Sequence, residues 1–300
     1  MIFYFDNDIQ TANNDQQKKA FADLIVYICN NNHYVKCDTV VSSWIDTNIF
    51  NTKYLAQIDI DIIKQCKMRR DITQELINNL STVHIGISKG ISPSDALRLF
   101  QRASRVIVEN GANDWAVICK WIDLMKKDRY FKNINAIVCE RKDSKLLDQD
   151  NAGTCGQVIK HIDILQKNFG VATKYKVSLV IDSDKHFASD TLTNEKLNII
   201  KKMKAENIDG HILHKREMEN YFPLSLYKEA GMTHNNCPEP TDTWDYIDVE
   251  NANYIKYKKN QLPDLTKWLD KKALLKCVGE NTASNPNEIQ EIILKLAKIC

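Results

Sequence analysis

The clearest pattern of apolar and polar positions lies between residues 105 and 225. Short apolar runs there alternate with longer stretches of helical periodicity. Val106, Ile107 and Val108 form an apolar run that ends in Glu109, Asn110 and Gly111. Trp115, Ile118, Cys119, Ile122 and Met125 then recur at three- and four-residue spacing, which predicts a helix, and Asn113-Asp114 can cap its start. Residues 134–139 read as a second short apolar strand. A loop over 151–156 leads into a helix predicted for 157–167. Val177–Ile181 is a third strand and closes in Asp182-Ser183-Asp184. Asn194–Glu206 is a third helix, and residues 210–214 are a fourth apolar strand. Strands that alternate with helices in this way predict a parallel sheet with right-handed crossovers.

The flanks are less regular. Residues 1–8 admit a short strand. Phe21, Leu24, Ile25 and Ile28 predict a helix over 16–30. Residues 35–45 fit a strand or a helix. Spans 58–66 and 71–80 are helical candidates, and 81–90 reads as extended. Ser92-Pro93 marks a helix start, with the helix over 95–103. Beyond residue 225, the stretch 228–248 is polar and irregular, and amphipathic helices are predicted for 264–277 and 287–299. The division expected is 1–103 as a mostly helical domain that admits short strands, 104–225 as the α/β domain, and 226–300 as a loop with a C-terminal helical tail.

Composition narrows the picture. The chain has 300 residues, a formal net charge of +2 and 27% charged residues, so no global basic field announces nucleic acid. The first residues lack the basic region and cleavage site of a signal peptide, and no apolar run reaches the length of a membrane span. The 9 cysteines are scattered, with no CxxC pair. That reads as reduced, core-type cysteine in the cytoplasm. His33 and His84 are isolated and read as structural or surface histidines. Arg69-Arg70, with Lys64 and Lys67, is a small basic face.

The candidate chemistry sits at the strand ends. Asp182 and Asp184, two positions apart at the end of a strand, point to one side and repel each other unless a cation lies between them. Oxygen-only ligands of this kind suit Mg²⁺ or Mn²⁺. Glu109 follows another strand, and Glu217 and Glu219 follow the last. Parallel strands bring these ends to one edge, where α/β sheets place their ligands.

Glu109 with Gly111, then Asp182-Ser183-Asp184, then Lys215-Arg216-Glu217-Met218-Glu219-Asn220-Tyr221 occur in that order on a βαβαβαβ frame. This set resembles the TOPRIM domain, in the version found in OLD-family nucleases. The resemblance covers roughly residues 104–225 and implies a four-stranded parallel, Rossmann-like sheet flanked by helices. It implies a metal-dependent endonuclease that hydrolyses DNA or RNA, tRNA included. Asp182 and Asp184 would hold one or two Mg²⁺ or Mn²⁺ ions, with Glu219, or else Glu217, on a second ion. Glu109 would be a further ligand or a general base, and Lys215 would face the scissile phosphate. Gly153 and Gly156 resemble a phosphate-holding loop, or form an ordinary turn.

One departure stands out. The family's second acid lies four residues after the first Glu, whereas here position 113 is Asn and the acid is Asp114. Asp114 is therefore either a metal ligand or a helix cap. No GxxxxGK[ST] occurs, so no P-loop ATPase is present in this stretch. The resemblance then implies an anti-phage defence effector that works with a separate ATPase sensor or a reverse transcriptase–RNA partner; a homodimer is compatible with it. A non-catalytic scaffold that binds nucleic acid or a partner is the alternative, and a primase or topoisomerase the lesser one.

Overall fold

The computed structural model describes residues 1–50, 53–57, 59–61, 72–237, 242–282 and 284–300. Most of the 58–66 helical candidate and the basic face at 64–70 lie outside them. The chain divides into two compact units, Met1–Ala103 with Ala297–Cys300, and Ser104–Leu296.

The first unit carries helices and the short strands the sequence admits, and the strands pair into one sheet. Strands β1 (Ile2–Phe5), β2 (Tyr34–Lys36) and β3 (Thr82–Ile85) form a parallel sheet in the order β2-β1-β3. β2 and β3 have 3 and 4 residues, too few for a period-two pattern to stand out. Helix α1 (Asp15–Asn30) covers the sheet with Phe21, Leu24, Ile25 and Ile28, and the Phe21 ring meets Phe5 edge-on at 4.8 Å. The ambiguous 35–45 window holds both alternatives: β2, then α2 (Thr39–Asn48), separated by Asp38, whose carboxylate accepts from Val41 N at 2.8 Å. Helices α3 (Gln74–Asn79) and α4 (Pro93–Phe100) also belong to the unit, and residues 59–61 of the 58–66 candidate are helical. Ser92 caps α4 and Pro93 opens it. His33 is buried and His84 is exposed, paired with Asp6 at 3.0 Å.

In the second unit, β4 (Ser104–Val108), β5 (Leu147–Asn151), β6 (Val177–Ile181) and β7 (Gly210–Ile212) form a parallel sheet in the order β5-β4-β6-β7. β6 is buried along its whole length, as a central parallel strand must be. The second strand lies elsewhere than the apolar pattern predicts. Residues 134–139 sit inside helix α6 (Lys132–Asp143), which follows α5 (Gly111–Met125). Ile134, Val138 and Arg141 are buried at helical spacing, while Ala136 between them is exposed. The true strand, β5, reads LDQDN and has no apolar residue after Leu147. As an edge strand it tolerates this, and Asp148 pairs across the ladder with its register partner Arg105 at 3.2 Å.

Helix α7 (Val158–Phe169) precedes the single turn α8 (Thr173–Lys176), and α9 (Asn194–Glu206) follows β6. Residues 226–296 are part of this unit. They include α10 (Leu224–Glu229), α11 (Leu262–Leu265), α12 (Lys271–Val278) and α13 (Glu288–Ala297). The single helix expected at 264–277 is two, because Asp270 leaves helical geometry to cap α12 through Ala273 N at 2.7 Å. Among the described residues, no helix is long and apolar enough to cross a membrane.

Candidate functional site

The strand order defines the site. From β4 the chain goes to β5 on one side, then crosses back to β6 on the other. The switch point therefore lies between β4 and β6, where an α/β sheet opens a crevice beyond its strand ends. Glu109 leaves β4 on one side of it, and Asp182 leaves β6 on the other.

Lys196 connects these ends. It lies in the first turn of α9 and is completely buried. Its Nζ bonds to the Glu109 carboxylate and reaches Asp184 Oδ2 at 3.0 Å. Burial alone pushes the Lys196 pKa down, but Glu109 and then Asp184 outweigh it, and the ammonium is held well above the usual lysine range. Glu109 shifts the other way from a typical paired acid. Its burial raises the pKa more than Lys196 lowers it, and Asp184 and Asp114 add to the rise. Beside them, burial pushes the Cys155 thiol up to about 11.

The Asp182–Asp184 turn is tied to the chain beyond β7. Asp182 is buried and accepts from Met218 N at 3.2 Å. Ser183 N and Asp184 N both donate to Arg216 O, at 3.0 and 3.1 Å, and Ser183 Oγ donates to Lys215 O at 2.6 Å. Asp184 adopts a left-handed φ of 57°, an uncommon conformation for a residue with a side chain. Its carboxylate is half exposed.

Lys215 is not a surface lysine. It is 7% exposed, with Nζ 2.5 Å from Asp245 Oδ1 and 5.3 Å from the centre of the Tyr221 ring. Arg216 extends beside it toward His186 and Asp248.

The other predicted acids go elsewhere. Asp114 is buried and accepts from Asn110 N at 2.7 Å, which makes it a back-bonding cap of α5, although its charge still bears on Glu109. Glu217 caps the 3-10 turn Met218–Tyr221 and accepts from Val249 N at 2.8 Å. Glu219 is buried and accepts from the Tyr257 hydroxyl at 3.0 Å. Among the described residues, no three of Glu109, Asp114, Asp182, Asp184, Glu217 and Glu219 bring ligand atoms within 4.8 Å of one another. Gly153 takes a φ of 80° and donates to Asn151 Oδ1 at 2.9 Å. Gly156 lies beside Glu195, whose Oε1 would sit 3.4 Å from an added Cβ. A carboxylate at that spot disfavours a phosphate on the start of α7.

Among the described residues, two side-chain groups elsewhere bring three ligand atoms together. In the first, Glu288 accepts from His211 Nε2 at 2.9 Å and from the Tyr221 hydroxyl at 2.6 Å, near His214. Lys295 Nζ lies 2.9 Å from His211 Nδ1, so Nδ1 is the acceptor and Nε2 carries the proton. A metal on Nε2 would require the opposite tautomer. In the second, the exposed Asp123 and Asp143 gather about the buried Cys139 and are closed by Lys142, at 2.5 Å from Asp123 and 3.0 Å from Asp143.

Lys196 is not among the residues that the strand-end pattern singles out. The available signal was its position: Lys196, Ile199 and Met203 share the face of α9 that packs on the core, and a lysine in that stripe requires a buried anion. Asp245 and Glu288 carried no such signal, because each acts from more than 25 residues away from its partner. No family model, curated protein or solved structure matches this chain.

Proposed function

We propose that the unit Ser104–Leu296 is a Mg²⁺- or Mn²⁺-dependent nuclease of TOPRIM type, acting on phosphodiester bonds of DNA or RNA, tRNA included. The observation that carries this reading is the placement of Glu109 and the Asp182–Asp184 turn across the switch point of a parallel sheet, with Lys215 and Arg216 on the adjoining strand end.

The donors fit a hard divalent ion in chemistry, since Glu109, Asp182 and Asp184 offer oxygen alone. These three are the residues that would hold it, with Lys196 as the competing cation at Glu109 and Asp184. Such an ion supplies stabilisation of the charge that builds on phosphoryl oxygens. The chain's own residues do the rest. Glu109 has a raised proton affinity when it is not on the ion, and in that role it is suited to take a proton from an attacking water. Lys215 and Arg216 offset negative charge on the phosphate. Lys196 fixes the Glu109 carboxylate relative to Asp184.

By the same reading the chain is a cytoplasmic defence effector whose activity is released by a separate ATPase or reverse transcriptase–RNA partner. The described cysteines are all free thiols, in keeping with a reducing compartment. One observation favours a second reading. Lys196 already neutralises Glu109 and Asp184, which suits a scaffold that binds nucleic acid without cutting it. Incubating the protein with single-stranded DNA, plasmid and total tRNA, in Mg²⁺, Mn²⁺ or EDTA, separates the two. The nuclease reading requires cleavage that EDTA abolishes; binding without cleavage in either metal supports the scaffold.

A further inference from the structure

A cleft of about 810 Å³ opens beside the acidic edge, lined in part by His186, Phe187, Arg216, Asp245, Tyr246 and Asp248. We infer that it is a nucleobase pocket, which receives an unpaired nucleotide next to the bond that is cut; the inference rests on the nuclease reading above.

Phe187 is the first observation. Its ring is 66% exposed, an unusual position for a large apolar side chain. It does not sit on a loose loop. The Asp190 carboxylate accepts from both His186 N and Phe187 N, at 2.8 and 2.9 Å, and Asp190 N returns a bond to Phe187 O at 3.1 Å. The turn is therefore built to present the ring. Exposed aromatic faces held in this way are stacking platforms for bases, because every base offers a π face.

The charges on the walls are the second. The Arg216 guanidinium lies 2.6 Å from His186 Nδ1 and 3.4 Å from Asp248. A planar cation against an aromatic-lined cleft can stack on a base or fork onto a phosphate. Tyr246 supplies another ring to the lining. The volume falls within the usual range of small-ligand sites, roughly 300–1,000 Å³, and accommodates one nucleotide with its hydration.

Continuity with the acidic edge is the third. His186 follows Asp184 after a single intervening residue. Arg216 O holds the Asp182–Asp184 turn, and Asp245 in the cleft wall pairs with Lys215. A base in the cleft thus lies next to the proposed chemistry on both walls. A paired base cannot present its π face to such a pocket, so the nucleotide must be single-stranded, looped or flipped out.

The test uses the full chain in EDTA with oligonucleotides carrying 2-aminopurine, as single-stranded DNA, single-stranded RNA and duplex. The pocket predicts fluorescence quenching on single strands and at least about tenfold weaker binding to duplex. Phe187→Ala should weaken single-strand binding about tenfold or more and remove the quenching, while Phe187→Trp retains both. The tighter of the DNA and RNA arms names the substrate class. Equal binding of duplex and single strand, unchanged in Phe187→Ala, overturns the pocket. The assay is then repeated in Mg²⁺ or Mn²⁺. Quenching without cleavage keeps the pocket and overturns the nuclease, whereas cleavage with Phe187-independent binding does the reverse.

Discussion

The ammonium of Lys196 is bonded to the carboxylate of Glu109, and both are withdrawn from solvent: Lys196 is fully buried and Glu109 has 14% of its side chain exposed. With Asp184 at 3.0 Å, and Asp114 close enough to raise the Glu109 pKa, one cation faces more than one acid. Removing that cation leaves a buried carboxylate without compensation. Lys196→Met should destabilise the chain by roughly 3 kcal/mol or more. Glu109→Gln in the same background should recover part of the loss. Urea unfolding of the two single variants and the double variant measures the coupling directly.

If Glu109, Asp182 and Asp184 are the ion's ligands, Mg²⁺ and Lys196 compete for two of them. Millimolar Mg²⁺ or Mn²⁺ should raise the melting temperature of the wild type, and raise that of Lys196→Met more, since a bound ion stabilises by mass action. Asp182→Asn should lose most of the shift. Differential scanning calorimetry with and without metal reads all three.

Glu109 makes a prediction in pH. Its pKa is raised, by burial first and by neighbouring acids after that. A general base with a raised pKa loses function at a higher pH than an ordinary glutamate, whose value is about 4.3. With Glu109 acting as the base and not as a ligand of the ion, the acid limb of kcat/KM should therefore lie above that value. Its folding contribution has the opposite sense from a paired acid. It is present below the unfolded pKa and is lost as pH rises through the folded one. A pH–rate profile checks the first point, and Glu109→Gln should lack the limb.

Glu288 and His211 act in the other direction. Burial raises the Glu288 pKa, but the bonds from His211, Tyr221 and His214 N outweigh it and hold the carboxyl below its ordinary value. Burial lowers the His211 pKa. Stability from the histidine is present above its unfolded value, about 6.5, and that from the glutamate above about 4.3. Both are lost as pH falls through the folded values. The melting temperature should decline below about pH 6.5 and again below about pH 4. Glu288→Ala leaves the Tyr221 hydroxyl and His214 N short of an acceptor and should cost about 2–4 kcal/mol at neutral pH. It should flatten the acid dependence in the same melting series.

Which parts of this were legible in the sequence follows from the physics of each element. β4, β6 and α9 were readable because their patterns are local: β6 is apolar throughout apart from Ser178, and α9 has a threonine cap at its start. β5 was not, because its backbone ladder to β4 does the work that apolar side chains do elsewhere, and LDQDN carries no strand pattern. The strands of the first unit fall in spans that admitted a strand, but their pairing into one sheet was not readable, its outer strands being too short to show alternation. The acidic strand ends were visible, but their partners were not. Sequence spacing could not show that Lys196 lies between Glu109 and Asp184. Nor could it show that Tyr257 takes Glu219, or that Asp114 turns back to Asn110.

Gly111 ties β4 to β5. Its φ is 36°, and a Cβ there would lie 2.7 Å from Asn151 Nδ2. Gly111→Ala should therefore destabilise by about 1–3 kcal/mol through strain and overlap. Asn151→Ala in the same chain should relieve only the overlap. Chemical denaturation of the pair separates the two causes.

We propose that the Asp182–Asp184 turn and Glu109 form a metal-dependent hydrolytic edge. Its most direct test is cleavage of labelled single-stranded RNA and DNA by wild type and Asp182→Asn, matched by circular dichroism to show both are folded, in Mn²⁺ and in EDTA. A metal-dependent edge requires cleavage by the wild type in Mn²⁺ alone and at least a hundredfold less by Asp182→Asn. Equal cleavage by the two folded proteins, or cleavage that survives EDTA, would contradict it.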